Sequence, residues 1–346
     1  MRKFFLLLFL CMVGSMILAE KVIEFPDLMK PRIMKIDEDE MFIAEGFNVK
    51  VYSLKSGKMK FKFGKQGEGP GEFRMYFLLN VFILPDCVYA QSHDKVAWFS
   101  REGKFLKEKG TPNAMISLIP IGDKFIGVDF DNSQLDSKNI VYQSISIYDS
   151  NIKIIKTIYR NLFDAKVIFR PGINTTAEYK MIGHYYGADC DIKSEKIIVS
   201  DSRKGFYIEV FDGSGKKLYS INKKFEKIKV PEDYKKRALE KEKIQTASEW
   251  QLLKRRKFTF YKYFPPFWTV KFINGKIYVG TYKMKDNDFE FIILNVKGNI
   301  LKRVFLPIKE VMAFKDNLFH FDNGKFYNLI ENEEKEIWEL HIHELK

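Results

Sequence analysis

The sequence has 346 residues, of which 46% are hydrophobic and 15% aromatic, and its formal net charge is +13. This aromatic content excludes an intrinsically disordered chain and allows a large hydrophobic core. The length exceeds that of an ordinary domain, but closed all-β folds reach it as one unit.

The first 19 residues have the features of a signal peptide. Arg2 and Lys3 precede an apolar run at residues 4–13, and Ala19 is the preferred residue for cleavage. The run is shorter than the roughly 20 residues that span a bilayer, although an uncleaved N-terminal anchor is the alternative. We therefore expect residues 20–346 to form one exported domain, periplasmic, surface-located or secreted, with no membrane span after cleavage.

A unit of short alternating strands joined by polar or glycine-containing turns recurs along the rest of the chain. Six copies are predicted, over residues 32–64, 79–109, 115–159, 180–223, 269–306 and 311–345. In the sixth copy the strands are predicted at residues 311–315, 318–321, 325–330 and 336–345. Asn274-Gly275 in the fifth copy is a strong signal for a tight hairpin turn.

This repeat predicts an all-β fold, a six-bladed β-propeller of four-stranded antiparallel blades. One blade alone cannot hide its two apolar faces, so closure into a ring is the stabilising step. A large β-sandwich or two small β domains is the rival architecture. No linker rich in Pro, Gly or Ser divides the chain in the way that two domains require.

A helical insertion is expected between blades 4 and 5, at about residues 231–263. Pro231 and the acidic pair Glu232-Asp233 resemble a helix start, and residues 232–257 are rich in good helix formers. We expect one or two helices there. The aromatic and proline segment at residues 264–268 then returns the chain to the ring.

The segment from Gly64 to Phe73, which includes Gly67, Pro70 and Gly71, resembles the crossover signature of NHL-repeat propellers. Together with the signal peptide and the helical insertion, it also resembles the exported, six-bladed BF4221-like propellers of bacteria. The resemblance implies a glycine-rich crossing from the outer strand of one blade to the inner strand of the next, with Phe73 wedged between blades. The other crossovers lack this signature. Such proteins are mostly of unassigned function, so no activity follows from the resemblance.

The two cysteines beyond the signal peptide, Cys87 and Cys190, fall in non-neighbouring copies. We expect no disulfide between them, because cysteines more than about 7 Å apart at Cα cannot bridge. Both are interpreted as small buried apolar residues.

Signals for catalysis are weak. The glycine-rich run lacks the ending of a phosphate-binding loop, and no nucleophile elbow is present. His341 and His343 share one face of the last strand, either as metal ligands or as a solvent-facing pair. A metal-dependent, lactonase-like hydrolase or lyase would need polar side chains to converge at the channel mouth, and its candidates are Asp37, His184, Asp189 and Asp316. The alternative is that these acids are turn residues.

Our primary hypothesis is a non-enzymatic binding module that recognises a protein, peptide or glycan. The predicted partner-binding residues are Arg170, His184, Tyr186, Arg255, Tyr263 and Trp268. Tyr and Trp beside Arg are favoured at recognition surfaces. Packing between blades is the alternative role for these aromatic residues. We expect a monomer without a cofactor and, because the basic charge is interpreted as a lysine-rich surface, no nucleic-acid partner. A metal-dependent enzyme and a scaffold or receptor subunit are the rival functions.

Overall fold

The computed structural model describes residues 21–74, 80–111, 117–134, 140–162, 177–180, 184–245, 256–308, 311 and 318–345. The predicted signal peptide lies outside these residues, as do Arg170, Arg255 and Asp316. The protein is a six-bladed β-propeller with four-stranded antiparallel blades, as the repeat predicted.

The chain begins with strand β1 (Lys21–Phe25), and the first three blades follow. Blade 1 contains β2 to β5: Pro31–Asp37, Glu40–Glu45, Asn48–Ser53 and Met59–Phe63. A short parallel pair, β6 (Lys65–Gln66) and β7 (Glu72–Phe73), leads into the next blade. Blade 2 contains β8 to β11: Asn80–Ile83, Cys87–Gln91, Lys95–Ser100 and Phe105–Gly110. Blade 3 contains β12 to β15: Ser117–Ile121, Lys124–Gln134, Ile140–Tyr148 and Ile154–Leu162.

The second half adds one helix and one further strand pair. Strand β16 (Ala177–Lys180) precedes blade 4, which contains β17 to β20: Tyr186–Asp191, Lys196–Asp201, Phe206–Phe211 and Lys217–Lys223. Helix α1 (Glu232–Gln245) and strand β21 (Arg256–Thr259) follow. Blade 5 contains β22 to β25: Thr269–Ile273, Lys276–Lys285, Asp288–Asn295 and Ile300–Leu306. Blade 6 contains β26 to β28: Phe319–Asp322, Lys325–Asn332 and Ile337–Glu344.

The N-terminal strand closes the ring. Strand β1 pairs antiparallel with β28 and becomes the outermost strand of blade 6. Of the strand predicted at residues 311–315, only residue 311 is described and it lies outside the sheet, whereas residues 312–315 lie outside the described residues; Phe319–Asp322 is the innermost described strand of this blade. Pairing β1 with β28 joins the first and last described strands by backbone hydrogen bonds and gives blade 6 its fourth strand.

The innermost strands surround the central channel. Strand β2 contacts β8 and β26, and β17 contacts β12 and β22, so neighbouring inner strands touch around the ring. Each inner strand runs from the face where the chain crosses between blades, here called the crossover face, to the face of its first hairpin turn, here called the hairpin face.

The glycine-rich crossover between blades 1 and 2 packs as predicted. Phe73 is fully buried in a cluster that takes Phe42, Val49 and Val51 from blade 1 and Val81 and Val88 from blade 2. A ring-to-ring distance of 6.4 Å separates Phe73 from Phe99 of blade 2. The crossover therefore serves inter-blade packing.

The predicted insertion contains one helix in the described residues, and it packs on the crossover segment that leads into blade 5. Tyr234 and Ala238 of α1 pack with Phe264, and the Tyr234 hydroxyl donates a 2.7 Å hydrogen bond to the carbonyl of Val311. The helical interpretation of residues 232–257 extended too far at its C-terminal end. Arg256–Thr259 forms a strand parallel to Ala177–Lys180, so tertiary pairing overrides local propensity there.

No helix among the residues that the structure describes is long and apolar enough to cross a membrane. Cys87 lies in blade 2 and Cys190 in blade 4, and both are free thiols.

Candidate functional site

Two separate polar regions stand out, one on the crossover face of blades 3 and 4 and one in the central channel. The first is bordered by strand β16 and by the segment that follows helix α1. The parallel pairing of β16 with β21 joins the crossover before blade 4 to the insertion before blade 5. The ring of His184 lies 4.8 Å from the ring of Tyr261, which continues this contact toward blade 4.

A buried carboxylate organises the crossover face of blade 4. Asp201 is 1% exposed and ends β18, where the chain turns through a single 3-10 turn at Ser202–Lys204. Its carboxylate accepts hydrogen bonds from Arg203 Nε at 2.9 Å and from the Tyr159 hydroxyl at 3.0 Å. It also accepts from the Arg203 backbone N–H and from the Asn161 side chain. Burial alone would raise the Asp201 pKa, but Arg203 lowers it below its ordinary value.

Cations lie over tyrosine rings around this carboxylate. Arg203 lies 5.4 Å from the Tyr186 ring centroid, and Lys204 lies 4.6 Å from that of Tyr159. In blade 3, Arg160 lies 3.9 Å from the Tyr142 ring. We call this patch the tyrosine–cation surface, and it comprises Tyr142, Tyr159, Arg160, Tyr186, Arg203 and Lys204. Burial raises the Tyr186 pKa, and its hydroxyl donates to the carbonyl of Gln143 at 3.2 Å, so the ring is held in place as a neutral phenol.

The structure places the predicted partner-binding residues in different environments. Tyr186 belongs to the tyrosine–cation surface, and His184 lies beside it with Nδ1 3.2 Å from the Ser202 hydroxyl. Tyr263 is 38% exposed in the insertion. Trp268 packs between blades 5 and 6 against Phe289, Phe291 and Phe319, and its indole N–H donates to the carbonyl of Thr281 at 3.0 Å. Arg170 and Arg255 lie outside the described residues.

Sequence reasoning missed the second region, a ring of side chains in the central channel. In each blade the residue three positions before the first hairpin turn occupies the same register on the inner strand. These six residues are Lys35, Phe82, Ile119, Asp189, Lys271 and His320. We call them the channel ring. Blades 4, 5, 6 and 1 thus contribute four titratable groups, whereas blades 2 and 3 contribute apolar ones.

Charges in the channel ring act on one another. Burial and the neighbouring Lys271 lower the Lys35 pKa to about 8, although Asp189 opposes the shift. Burial, with Lys35 and Lys271 nearby, lowers the His320 pKa to about 3, so this imidazole is neutral at physiological pH. Burial raises the Asp189 pKa above its ordinary value despite the favourable charge of Lys271. Perturbed groups gathered in a concave site are the usual mark of a functional candidate.

Of the side chains considered for a metal-dependent enzyme, the three that the structure describes do not gather at one place. Asp37 pairs with Arg101 at the hairpin face, Asp189 lies inside the channel, and His184 lies on the crossover face. His341 Nε2 is 3.4 Å from a Glu339 carboxylate oxygen, and the His343 ring is 5.9 Å from Phe326. Within the described ranges there is no group of three or more His, Cys, Asp or Glu side chains positioned to hold a metal ion.

Comparisons with known proteins return similar solved structures but no family. No family model matches the chain, and no curated protein matches it. A member of the DUF4221 family from Bacteroides vulgatus is similar at 10% identity with a TM-score of 0.48, covering 94% of this chain and 97% of that one. The structure of U3-55K is similar at 10% identity with a TM-score of 0.47, covering 93% and 98%. BamB from Moraxella catarrhalis is similar at 10% identity with a TM-score of 0.31, covering 90% and 71%. These likenesses assign no function to this chain, and an NHL-repeat identity stays a prediction.

Proposed function

We propose that the protein is an exported, non-enzymatic binding module whose tyrosine–cation surface recognises an acidic segment of a protein or peptide. The observation that supports this most is the Asp201 network, which fixes Arg203 and, through it, the packing on Tyr186. A surface held rigidly before binding loses little side-chain entropy when a partner arrives.

The chemistry of the surface favours an acidic partner. Arg160, Arg203 and Lys204 contribute three positive charges, and Asp201 contributes one buried negative charge. Tyr and Arg are enriched at interfaces because they bury large areas while keeping polar atoms available. The formal net charge, +13 for the full sequence and +11 without Arg2 and Lys3 of the proposed signal peptide (13 − 2), adds a long-range attraction for acidic partners. An acidic glycan is the alternative ligand for the same groups.

The insertion supplies an adjoining wall. His184 and Tyr261 connect the surface to the segment after α1, and Tyr263 is exposed beyond them with Lys262 5.4 Å from its ring. We assign these residues the role of a rim around the central tyrosines. The monomeric state expected from the sequence is part of the proposal, and sedimentation velocity of the purified protein tests it.

Charge reversal tests the proposal. Lys204 is exposed, so Lys204→Glu should reduce capture of partner proteins from the cell-envelope fraction about tenfold or more while the fold is retained. Lys297→Glu makes the same change of charge at an exposed turn of blade 5 on the hairpin face, and it should leave capture unchanged. Equal capture by both variants and the unmodified protein would contradict the assignment. Loss of binding in both variants would mean that the net charge of the protein, and no particular surface, attracts the partner.

Competition separates the two ligand classes. A poly-glutamate peptide should displace the captured partner at lower concentration than a sulfated glycan does. The opposite order of displacement would indicate that the surface recognises an acidic glycan.

A further inference from the structure

The channel ring has an uneven distribution of polar partners. The two Asp189 carboxylate oxygens already accept backbone N–H groups, Oδ1 from Cys190 and Oδ2 from Phe272, both at 2.9 Å. Among the described residues, the ammonium groups of Lys35 and Lys271 have no ion-pair partner and donate no hydrogen bond; Lys35 Nζ lies 4.9 Å from the centroid of the Phe82 ring. The His320 imidazole likewise has no hydrogen-bond partner in the described part of the chain.

Among the described residues, the channel ring therefore has a net positive charge. With His320 neutral, two ammonium groups face one carboxylate, and that carboxylate is engaged by the backbone. The two lysines approach from blades 1 and 5, and Asp189 from blade 4. Each of these side chains is only partly accessible, so water does not screen them fully. Charges in such a place are normally paired, because an unpaired buried charge is costly.

The other half of the ring is apolar. Phe82 and Ile119 occupy the equivalent positions in blades 2 and 3. A molecule at this height meets cations on one side and an aromatic ring with an aliphatic side chain on the other. An anion with a hydrocarbon portion matches both halves, whereas a fully hydrated inorganic anion matches only one.

We propose that the central channel binds a small organic carboxylate, with its carboxylate between Lys35 and Lys271 and its apolar portion against Phe82 and Ile119. This site is separate from the tyrosine–cation surface and independent of the proposed partner. His320, as a neutral imidazole, can donate one further hydrogen bond to the same carboxylate. Asp189 disfavours a second negative charge and thereby selects a monocarboxylate over a multiply charged anion.

Benzoate is the probe, with inorganic phosphate as the comparison, in calorimetric titrations of the purified protein. We expect benzoate to bind at least about tenfold more tightly than phosphate. The double variant Lys35→Met, Lys271→Met keeps side-chain length while removing both charges, and it should lose benzoate binding. Lys297→Met, at an exposed turn, is the matched control and should bind as the unmodified protein does. No detectable benzoate binding, equal affinity for phosphate, or retention of benzoate by the double variant would overturn the proposal.

A second measurement on the unmodified protein does not depend on how the variants fold. The groups that face Lys35 are Lys271, Asp189, Cys190 and His320. A bound carboxylate raises the affinity of Lys35 for its proton, so benzoate binding near pH 8 should take up about half a proton, and near pH 6 almost none. Titrations in two buffers of different ionisation enthalpy report this number. Binding without proton uptake at pH 8 would place the carboxylate away from Lys35.

Discussion

The backbone N–H of Phe272 in blade 5 donates a 2.9 Å hydrogen bond to Oδ2 of Asp189 in blade 4. The inner strand of a blade has no neighbouring strand on its channel side. Its N–H groups that face the channel therefore have no hydrogen-bond partner within the sheet. Asp189 supplies one such partner and accepts the N–H of Cys190 as well. The same side chain thus contributes to the charge of the channel ring and connects two blades through the backbone.

Replacing Asp189 should separate these two roles. Asp189→Ala and Asp189→Asn both remove the charge, but only the asparagine keeps an oxygen that can accept a backbone N–H. We expect the alanine variant to be less stable than the asparagine variant by about 1–2 kcal/mol, the cost of leaving a buried donor unsatisfied. Urea denaturation of both variants measures the difference. Equal free energies of unfolding would mean that an oxygen at this position, accepting from Phe272 or Cys190, adds nothing to stability.

The neutral His320 predicts a specific pH dependence of stability. Its pKa falls from an ordinary 6.5 to about 3 in the folded state, so folding favours the unprotonated ring. This contribution is complete above pH 6.5 and is lost as the pH falls from 6.5 toward 3, by at most about 1.4 kcal/mol per pH unit.

His320→Gln should remove that part of the pH profile. Between pH 7 and pH 5, the unmodified protein should lose about 1–2 kcal/mol more stability than the variant does. Denaturant titrations at the two pH values provide the comparison, and the unrelated carboxylates cancel because both proteins contain them. Parallel pH profiles would show that His320 titrates normally.

Two glycines with positive φ test the packing of the first crossover. Gly64 has a φ of +75°, and a Cβ there would lie 2.7 Å from the Phe47 carbonyl oxygen and 3.1 Å from the Phe73 ring. Gly46 has a φ of +58°, and a Cβ there would meet nothing within 4 Å. Both alanine variants incur the left-handed backbone penalty of about 1 kcal/mol, and only Gly64→Ala adds a clash. We therefore expect Gly64→Ala to be the less stable by about 1–3 kcal/mol, measured by thermal and urea unfolding. Similar losses would mean that the crossover can shift to make room.

Much of the propeller fold could be predicted from the sequence because the sequence signals for its strands and turns are local. Alternating strands and turns such as Asn274-Gly275 specify hairpins, and Gly64 to Phe73 specifies a crossing between blades. The closing strand was missed because Lys21–Phe25 is short, follows the predicted signal peptide and finds its partner, β28, more than 300 residues away. Local patterning contains no information about a pairing of that separation.

The channel ring was missed for a related reason. Lys35, Lys271 and His320 each stand three residues before a hairpin turn, but they belong to different copies, and single copies do not reveal which side chains share a height in the channel. Aligning the copies on their turns would have placed them together. Trp268 was predicted to bind a partner because aromatic residues occur both at interfaces and in the packing between blades. Only its position in the propeller distinguishes these two roles.

Trp268 provides the final prediction, because its surroundings indicate a role in folding. Its ring centroid lies 5.6 Å from that of Phe291 and 5.8 Å from that of Phe319 in the next blade, and its indole N–H is bonded to Thr281. Trp268→Ala should lower the free energy of unfolding by about 3–5 kcal/mol, as large cavities do. Lys204→Glu, on the tyrosine–cation surface, should change it by no more than about 0.5 kcal/mol. A stable Trp268→Ala variant that lost only partner binding would show that this residue belongs to the recognition surface. A destabilised variant that still binds once folded would show that it serves the packing between blades 5 and 6.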